Sequence, residues 1–478
     1  MQKNESGQKI VVLLWLVMLA TCSFEAYGRK LETNDGRTEL IDSVLVKQII
    51  ISGNKVTKSR VILNELEFET GDTLWINQIG QLITRSRDNL LNTSLFNFVT
   101  ITYSKQLDES VVFHIKVDER WYWWVFPIFE HTDRNLSSFL ESGDWSRMNY
   151  GIYLKRDNFR GRKELLKFRV KIGFSTQVSL RFDSPEYKRK SGWGAEVNAK
   201  AFTKVPFATI DNRPMFVMVN NEMSQFYYKS AVNYSLRSDL YQRHRLELTY
   251  EGFDVSDSVT QINPNYLTPG DSKMDYLSIS YQYRFDKRDS KVYPLGGTSL
   301  NLSLTKNGLG ILTDELNDLN LHLQFQQYAQ LGRRWHWGGV AEGRVGTSDH
   351  LPYALFQGLG YKSFMNGYEL YVLDGVRNAM VQNKILFTLM EPKVKTIGFM
   401  PLTQFAKIHY AFYVKAFFDT GYAWQKNPDP TNNMVNSWQY GYGLGIDFVT
   451  FYDKVFSFNY SINKLGYDGF FVHFNLDI

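Results

Sequence analysis

From Trp121 to the end of the chain, apolar residues recur at every second position. Leu277, Ile279, Tyr281, Tyr283 and Phe285 share one face, while Ser278, Ser280, Gln282, Arg284 and Asp286 share the other. The same alternation runs through Leu300, Leu302 and Leu304, through Leu319, Leu321, Leu323 and Phe325, and through Phe456, Phe458, Tyr460 and Ile462. The last stretch sets Phe470, Val472, Phe474, Leu476 and Ile478 against Phe471, His473, Asn475 and Asp477. A period of two places successive side chains on opposite faces of a sheet, so these segments are strands. Many reach about ten residues, the length that crosses a bilayer at a tilt. Aromatic residues gather at strand ends (Tyr122, Trp123 and Trp124; Trp335 and Trp337; Tyr422 and Trp424), as interfacial girdles require. A water-soluble sandwich or propeller is the competing reading; the strand length, the girdles and the persistently polar second face favour lipid. In hydrocarbon an open sheet edge leaves backbone groups without partners, so the sheet must close into a barrel. Sixteen or seventeen strands can be counted, and bacterial barrels have an even number, so sixteen are expected. The stretch 177–221 gives no clean strand boundaries.

Residues 44–120 follow a different pattern. Val46 to Ser52 is a β-branched, strand-like run ended by Gly53-Asn54. Thr57 is placed to cap a helix whose apolar face includes Val61, Ile62 and Leu66. Gly71-Asp72 breaks the chain, and Ile79, Leu82, Ile83, Leu90 and Leu91 then recur at helical steps. Strands follow over Phe96 to Tyr103 and Ser110 to Asp118. The order is β-α-α-β-β, enough for one small α/β core.

The first 28 residues read as a signal peptide. Lys3 and Lys9 precede an apolar run from Ile10 to Ala20, too short to span a bilayer, and Ala26-Tyr27-Gly28 supplies small residues for cleavage. The alternative is lipoprotein processing at Cys22, the chain's one cysteine. Under the first reading the mature protein has no thiol, disulfide or cysteine-based metal site.

Composition narrows the function classes. Aromatic residues make up 15% of the 478-residue chain and charged residues 22%. Mean hydropathy is slightly negative, which suits a barrel with a polar lumen and not a bundle of membrane helices. A net charge of +5 without a dense basic run gives no support for nucleic-acid binding. The eight histidines form no H-E-x-x-H motif. Gly441, Gly443 and Gly445 alternate with Tyr440, Tyr442, Leu444 and Ile446, which makes a strand with one small face and not a phosphate loop opening a helix. No catalytic residue, cofactor or metal is assigned.

Taken in order, several short pieces resemble the POTRA-plus-barrel outer-membrane proteins, the group of BamA-like and TamA-like assembly factors, two-partner secretion translocators and bacterial surface antigens. Ile51-Ser52-Gly53-Asn54, Ile62, Gly71, Ser94-Leu95-Phe96 and Val99 are similar to a single POTRA domain. Asp286-Lys287-Arg288-Asp289 with Pro294 and Gly296, then Phe417-Phe418-Asp419-Thr420-Gly421, then Gly441 to Ile446, resemble barrel motifs of the family. The resemblance implies a periplasmic domain at 44–120 and a transmembrane barrel at 121–478, in the outer membrane of a Gram-negative-type bacterium. It also implies that Gly358 to Gly375 is a long inward-folded loop, whose tip usually carries an arginine paired with an aspartate on the barrel wall. Here the tip is Met365-Asn366-Gly367-Tyr368, and Asp419 matches the aspartate. Asparagine donates a hydrogen bond but makes no ion pair. Lys384 stands where an acidic residue is usual, so it is a candidate cation for Asp419; the alternative is that it lines a wet lumen.

The family's first and last strands meet at a seam where a client strand can add to an exposed edge. Pro127 in the first strand lacks an N–H and Gly469 weakens the last, which eases opening; alternatively Pro127 marks a bend at the lipid boundary. Gly469, Val472 and Phe474 fit the C-terminal signal read by barrel assembly machinery. Two function classes follow. One is assembly or translocation of extended polypeptide clients. The other is a passive channel or surface antigen, favoured by the missing arginine and the solitary POTRA domain.

Overall fold

The computed structural model describes residues 43–475 apart from 132–142, 186–190, 219–222, 313–315, 357, 362, 399 and 401–402. The signal-peptide reading, its alternative at Cys22 and the terminal Leu476 and Ile478 lie outside the described residues. The chain divides into two compact units, Met1–Lys55 with Glu65–Glu119, and Val56–Asn64 with Arg120–Ile478.

The small front region runs β1 (Ser43–Ser52), α1 (Ser59–Leu63), β2 (Thr73–Trp75), α2 (Ile76–Leu91), β3 (Phe96–Lys105) and β4 (Val111–Glu119). Its sheet has the order β2-β1-β4-β3, with β1 parallel to β4 and the other pairs antiparallel. The three-residue β2 was not expected, because Thr73-Leu74-Trp75 is too short to show alternation. The cap at Thr57 does not form: α1 begins at Ser59, its N-cap position is Lys58, and no side chain caps it. The helical face read from the sequence is present in α2, where Ile79 and Leu90 are buried. Phe68 stacks on Phe113 with ring centroids 4.1 Å apart, beside Phe96 and Ile115, all fully buried.

The remainder forms one antiparallel sheet of sixteen strands among the described residues. They are β5 (Trp123–His131), β6 (Met148–Phe159), β7 (Glu164–Gly173), β8 (Ser175–Asp183), β9 (Ser191–Phe202), β12 (Gln225–Asp239), β13 (Gln242–Val255), β14 (Lys273–Asp286), β15 (Gly297–Asn307), β16 (Asp318–Gln330), β17 (Trp335–Gly346), β18 (Arg377–Thr396), β19 (Lys407–Trp424), β20 (Gln439–Thr450), β21 (Lys454–Asn463) and β22 (Asp468–Asn475). The obscure stretch resolves into β8, β9 and a separate hairpin, β10 (Lys204–Ile210) with β11 (Arg213–Met218), that pairs only with itself.

The alternation behaves as lipid-facing strands require. Leu444, Ile446, Phe458 and Phe470 are exposed on the outer face, while Asp447, Asn459 and Ser461 are buried on the inner one. A soluble sandwich would reverse this, with apolar residues inside. The girdle residues are less uniform. Trp123 and Trp335 face outward, but Tyr122 is buried, and Trp124 packs edge-on against Tyr452 at 5.1 Å. The long connections between β13 and β14, between β17 and β18 and between β19 and β20 all lie at the rim away from the one where the chain enters the barrel.

All neighbouring strands are laddered except the first and last: among the described residues no ladder joins β5 to β22. The circuit is drawn together at the entry rim instead. Arg120 donates to both oxygens of Asp453 at 2.5 and 3.0 Å, and the Trp121 N–H donates to the Tyr452 hydroxyl at 3.1 Å. Tyr452 and Asp453 both hold left-handed backbone, φ 53° and 61°, a costly conformation for non-glycine residues that aims both side chains at the incoming strand.

Replacing Phe113 with alanine is expected to cost about 3–5 kcal/mol in the front domain. Hydrogen exchange on the full chain should show lost protection across β1 to β4 with the barrel strands unchanged.

Candidate functional site

The 30-residue connection between β17 and β18 turns back into the barrel, and its middle becomes part of an internal core. Leu359, Met365, Tyr368 and Leu373 pack with Met380 of β18, Ala423 of β19 and Met434. Apolar side chains anchor the loop, and part of its backbone is answered by hydrogen bonds within it, with the Leu359 N–H donating to the Leu373 carbonyl at 3.0 Å and the Leu373 N–H to the Leu359 carbonyl at 2.9 Å.

Asn366 is the polar centre of the tip. Its side-chain amide donates to Asp419 Oδ2 at 2.7 Å and its backbone N–H donates to the same oxygen at 3.0 Å. Gln382 adds a third donor at 3.1 Å and also donates to the Phe364 carbonyl. The Asn366 carbonyl oxygen of the side chain accepts from Asn459 at 3.0 Å. One neutral residue thus satisfies a buried carboxylate and reaches β21 as well. Gly441 of β20 lies directly beneath, and a Cβ there would overlap the Asn366 backbone oxygen. The next residue, Gly367, has φ +86°, and its carbonyl accepts from Asn463 at 2.9 Å. The Tyr368 hydroxyl lies 3.0 Å from Gln439 Oε1 and 3.1 Å from the Tyr440 carbonyl. Glu369 is buried, accepts from the Gly367 N–H at 2.8 Å, and lies 3.2 Å from His473 of β22. The tip therefore grips every strand from β18 to β22.

Lys384 does not replace the missing arginine. It shares the inner face with Asp419, since Gln382 is opposite Asp419 and Lys384 opposite Phe417. Yet its ammonium lies over the rings of Tyr293 and Tyr328, at 5.4 and 5.7 Å, and it makes no ion pair with Asp419 among the described residues. The physical reason is that Asn366 and Gln382 already crowd the carboxylate, while two π faces offer the cation an alternative. Pro127 is on the outward, exposed face of β5, opposite Ile152. Gly469 is opposite Ser461, and Val472 is opposite Phe458 and Phe474 opposite Phe456, on the outer face.

Two further elements enter the lumen. The turn after β14 carries Tyr293 inward, where its hydroxyl donates to Asp447 at 2.8 Å and its ring lies 4.7 Å from Tyr413. Lys415 completes this group, donating to Asp447 at 2.7 Å. At the far rim the β10–β11 hairpin reaches the loop after β19. Asn212 N–H donates to Asn432 Oδ1 at 2.7 Å, its amide donates to Asn433 at 3.1 Å, and its Oδ1 accepts from the Met434 N–H at 3.2 Å. Thr431 shapes that receiving loop: its hydroxyl and N–H both donate to Asp429, which holds this exposed carboxyl below its ordinary range. The sequence reading missed Gln382, Glu369, Tyr293 and Asn212. Only Asn212 left a signal, the Asp211-Asn212 turn between two short apolar runs.

Exchanging Gly441 for alanine is expected to dislodge the tip. Protease nicking between residues 347 and 376 of folded, heat-modifiable barrels should increase. Replacing Asn366 with alanine should act in the same direction, with a stability loss of about 1–3 kcal/mol from the underserved Asp419 carboxylate.

Two known families match the chain. The Omp85 superfamily domain matches residues 158–379, and the POTRA domain, described as a surface antigen variable number repeat, matches residues 44–120; together they span more than half of the chain. No curated protein matches the sequence. Among solved structures, BamA from Haemophilus ducreyi lacking POTRA domains 1–3 is similar at 15% identity and a TM-score of 0.51, over 90% of this chain and 83% of that one. CdiB from Escherichia coli is similar at 13% identity and a TM-score of 0.55, over 90% and 75%. At such identities the two structures speak for the fold alone. With both domains matched, and with an inward loop seated on a sixteen-stranded barrel, the chain belongs to the POTRA-plus-barrel Omp85 family of outer-membrane proteins.

Proposed function

We propose that this protein helps insert or translocate polypeptides at the outer membrane, with its POTRA domain in the periplasm engaging extended clients and its barrel delivering them. The observation that carries this reading is the seam. Among the described residues every neighbouring strand pair is laddered except β5 and β22. The groups along that edge are available to an incoming strand, which gains backbone hydrogen bonds by adding to it. Pro127 removes one donor from the edge of β5, and Gly469 lowers the intrinsic strand preference of β22. The inward loop supports the same reading: by holding β18 to β22 as a block, it keeps the closing strands ordered while the seam stays unladdered. The role is non-catalytic and needs no cofactor. The partners are outer-membrane lipid, unfolded clients and, for this chain's own insertion, barrel assembly machinery that reads Gly469, Val472 and Phe474.

A passive open channel fits less well. The loop tip, the Tyr293 turn and the β10–β11 hairpin all occupy the lumen or its far mouth.

Depletion of the protein is expected to lower the amounts of other outer-membrane barrels or of a secreted polypeptide, as read by quantitative proteomics of membrane and medium. Unchanged barrels together with unchanged secretion would overturn the proposal. In planar bilayers the purified protein should remain closed most of the time, with brief openings that become more frequent in a Tyr293→Phe variant; steady, large pores in the unaltered protein favour the channel reading.

A further inference from the structure

The inner wall built from β6 to β9 carries cations in a pattern that strand register makes plain. Lys155 is directly opposite Lys167, and Lys167 is directly opposite Arg181, so three cations form one row across adjacent strands. In the row four residues along β7, Lys171 is opposite Gln177, which is opposite Lys200. Arg169 lies between the rows on the same face of β7. These residues point into the lumen, because the alternate Phe168 and Ile172 are exposed on the outer face.

Like charges directly opposite each other destabilise a strand pair. Carboxylates offset part of this cost. Asp157 lies 3.4 Å from Lys155, Glu130 pairs with Lys171, and Arg181 is served by Asp183 at 2.5 Å and Glu196 at 3.8 Å. Lys167, Arg169 and Lys200 are left without an ion pair among the described residues. Lys167 and Arg169 instead lie over the ring of Tyr153, at 5.9 and 4.9 Å. Tyr153 is 2% exposed, and its hydroxyl has no hydrogen-bond partner among the described residues. A buried polar group without a partner is a cost that native folds rarely leave uncompensated. From Arg181 the wall opens into a cavity of about 710 Å³ that continues past Arg243, Arg245 and Arg284 towards the entry rim.

We propose that this wall is a binding track for acidic segments of extended polypeptide, a deepening that rests on the reading of polypeptide clients above. The spacing selects that ligand. Alternate residues of β7, Lys167, Arg169 and Lys171, repeat every ~6.6 Å along the strand, the repeat of alternate side chains in any extended chain. A segment lying along β7 with Asp or Glu at every second position sets one carboxylate against Lys167 and the next against Arg169, while Lys171 keeps Glu130 as its partner. β7 is laddered on both sides, so its backbone takes no part and recognition is by charge and spacing. The contacts sit in a wet lumen, so they are weak singly and sensitive to salt. A client is held without being trapped.

The test uses the full chain in nanodiscs and labelled 12-residue peptides that alternate Glu with Thr or Gln with Thr. At low salt the Glu peptide should bind at least tenfold more tightly than the Gln peptide. The Lys167→Gln, Arg169→Gln, Lys200→Gln variant should lose about tenfold in Glu-peptide affinity, or 1.4 kcal/mol. A Lys273→Gln control, which removes an exposed cation paired with Asp254, should bind as the unaltered chain does. Heat-modifiable migration reports folding; if the triple variant fails it, Lys167→Gln alone is read, with a loss of two- to threefold expected. Equal binding of the two peptides, or unaltered binding by the folded variant, overturns the track. Binding of tripolyphosphate without binding of the Glu peptide also overturns it, in favour of a phosphate ligand. The outcome is separable from the assembly reading: unchanged barrels and secretion on depletion overturn that reading even where the peptide binds, and loss of barrels on depletion supports it even where the peptide does not.

Discussion

Inside a bilayer every backbone N–H and C=O has to be answered by the protein itself, and that single demand organises this molecule. It converts an alternating sequence into a sheet, rolls the sheet into a barrel, and among the described residues leaves one line where the demand is not met by a strand ladder, between β5 and β22. At the entry rim, side chains tie the start of the first strand to the turn between β20 and β21, through Arg120 on Asp453 and the Trp121 N–H on Tyr452. Side-chain clamps differ from ladders in one respect. They hold the start of β5 near the β20–β21 turn without filling the hydrogen-bonding edge of β22, so that edge is kept in place and kept available together.

The inward loop solves a related problem. β18 to β22 flank the seam, and without a brace they would share its looseness. The brace is neutral at its centre: Asn366 serves the Asp419 carboxylate with two N–H groups and still accepts from Asn459. A guanidinium offers more donors and a full charge but no acceptor. Asparagine gives up the charge and gains a link to a third strand, and Gln382 supplies the remaining donor. The departure from the family's tip is thus accompanied by a rearranged hydrogen-bond set and not by an empty place.

The barrel was legible because a period of two survives in sequence whatever the strands pair with. The sixteen strands, the outward Leu444 and Phe458, and the helix over Ile79 and Leu90 all follow from local pattern. What was hidden depends on distances along the chain. Tyr293 meets Asp447, Glu369 meets His473, and Asn212 meets Asn432, each pair separated by at least 100 residues, and no periodicity encodes such meetings. Lys384 shows the hazard of reasoning by exchange of charges. It lies on the anticipated face, but two tyrosine rings outcompeted the aspartate for it. The opposed Lys155, Lys167 and Arg181 needed register, which a one-residue slip would have destroyed.

The uncharged latch at Asn366 has a consequence for how the lumen responds to its surroundings. Hydrogen bonds from an amide to a buried carboxylate are little affected by dissolved ions, whereas attraction to the lysines and arginine of the β6–β9 wall fades within a Debye length of about 8 Å at physiological ionic strength. The framework and the guest site are therefore governed by different variables. A cell whose osmotic conditions swing widely would find the loop equally seated in dilute and concentrated media, while the grip of the wall on anything acidic tightens and relaxes.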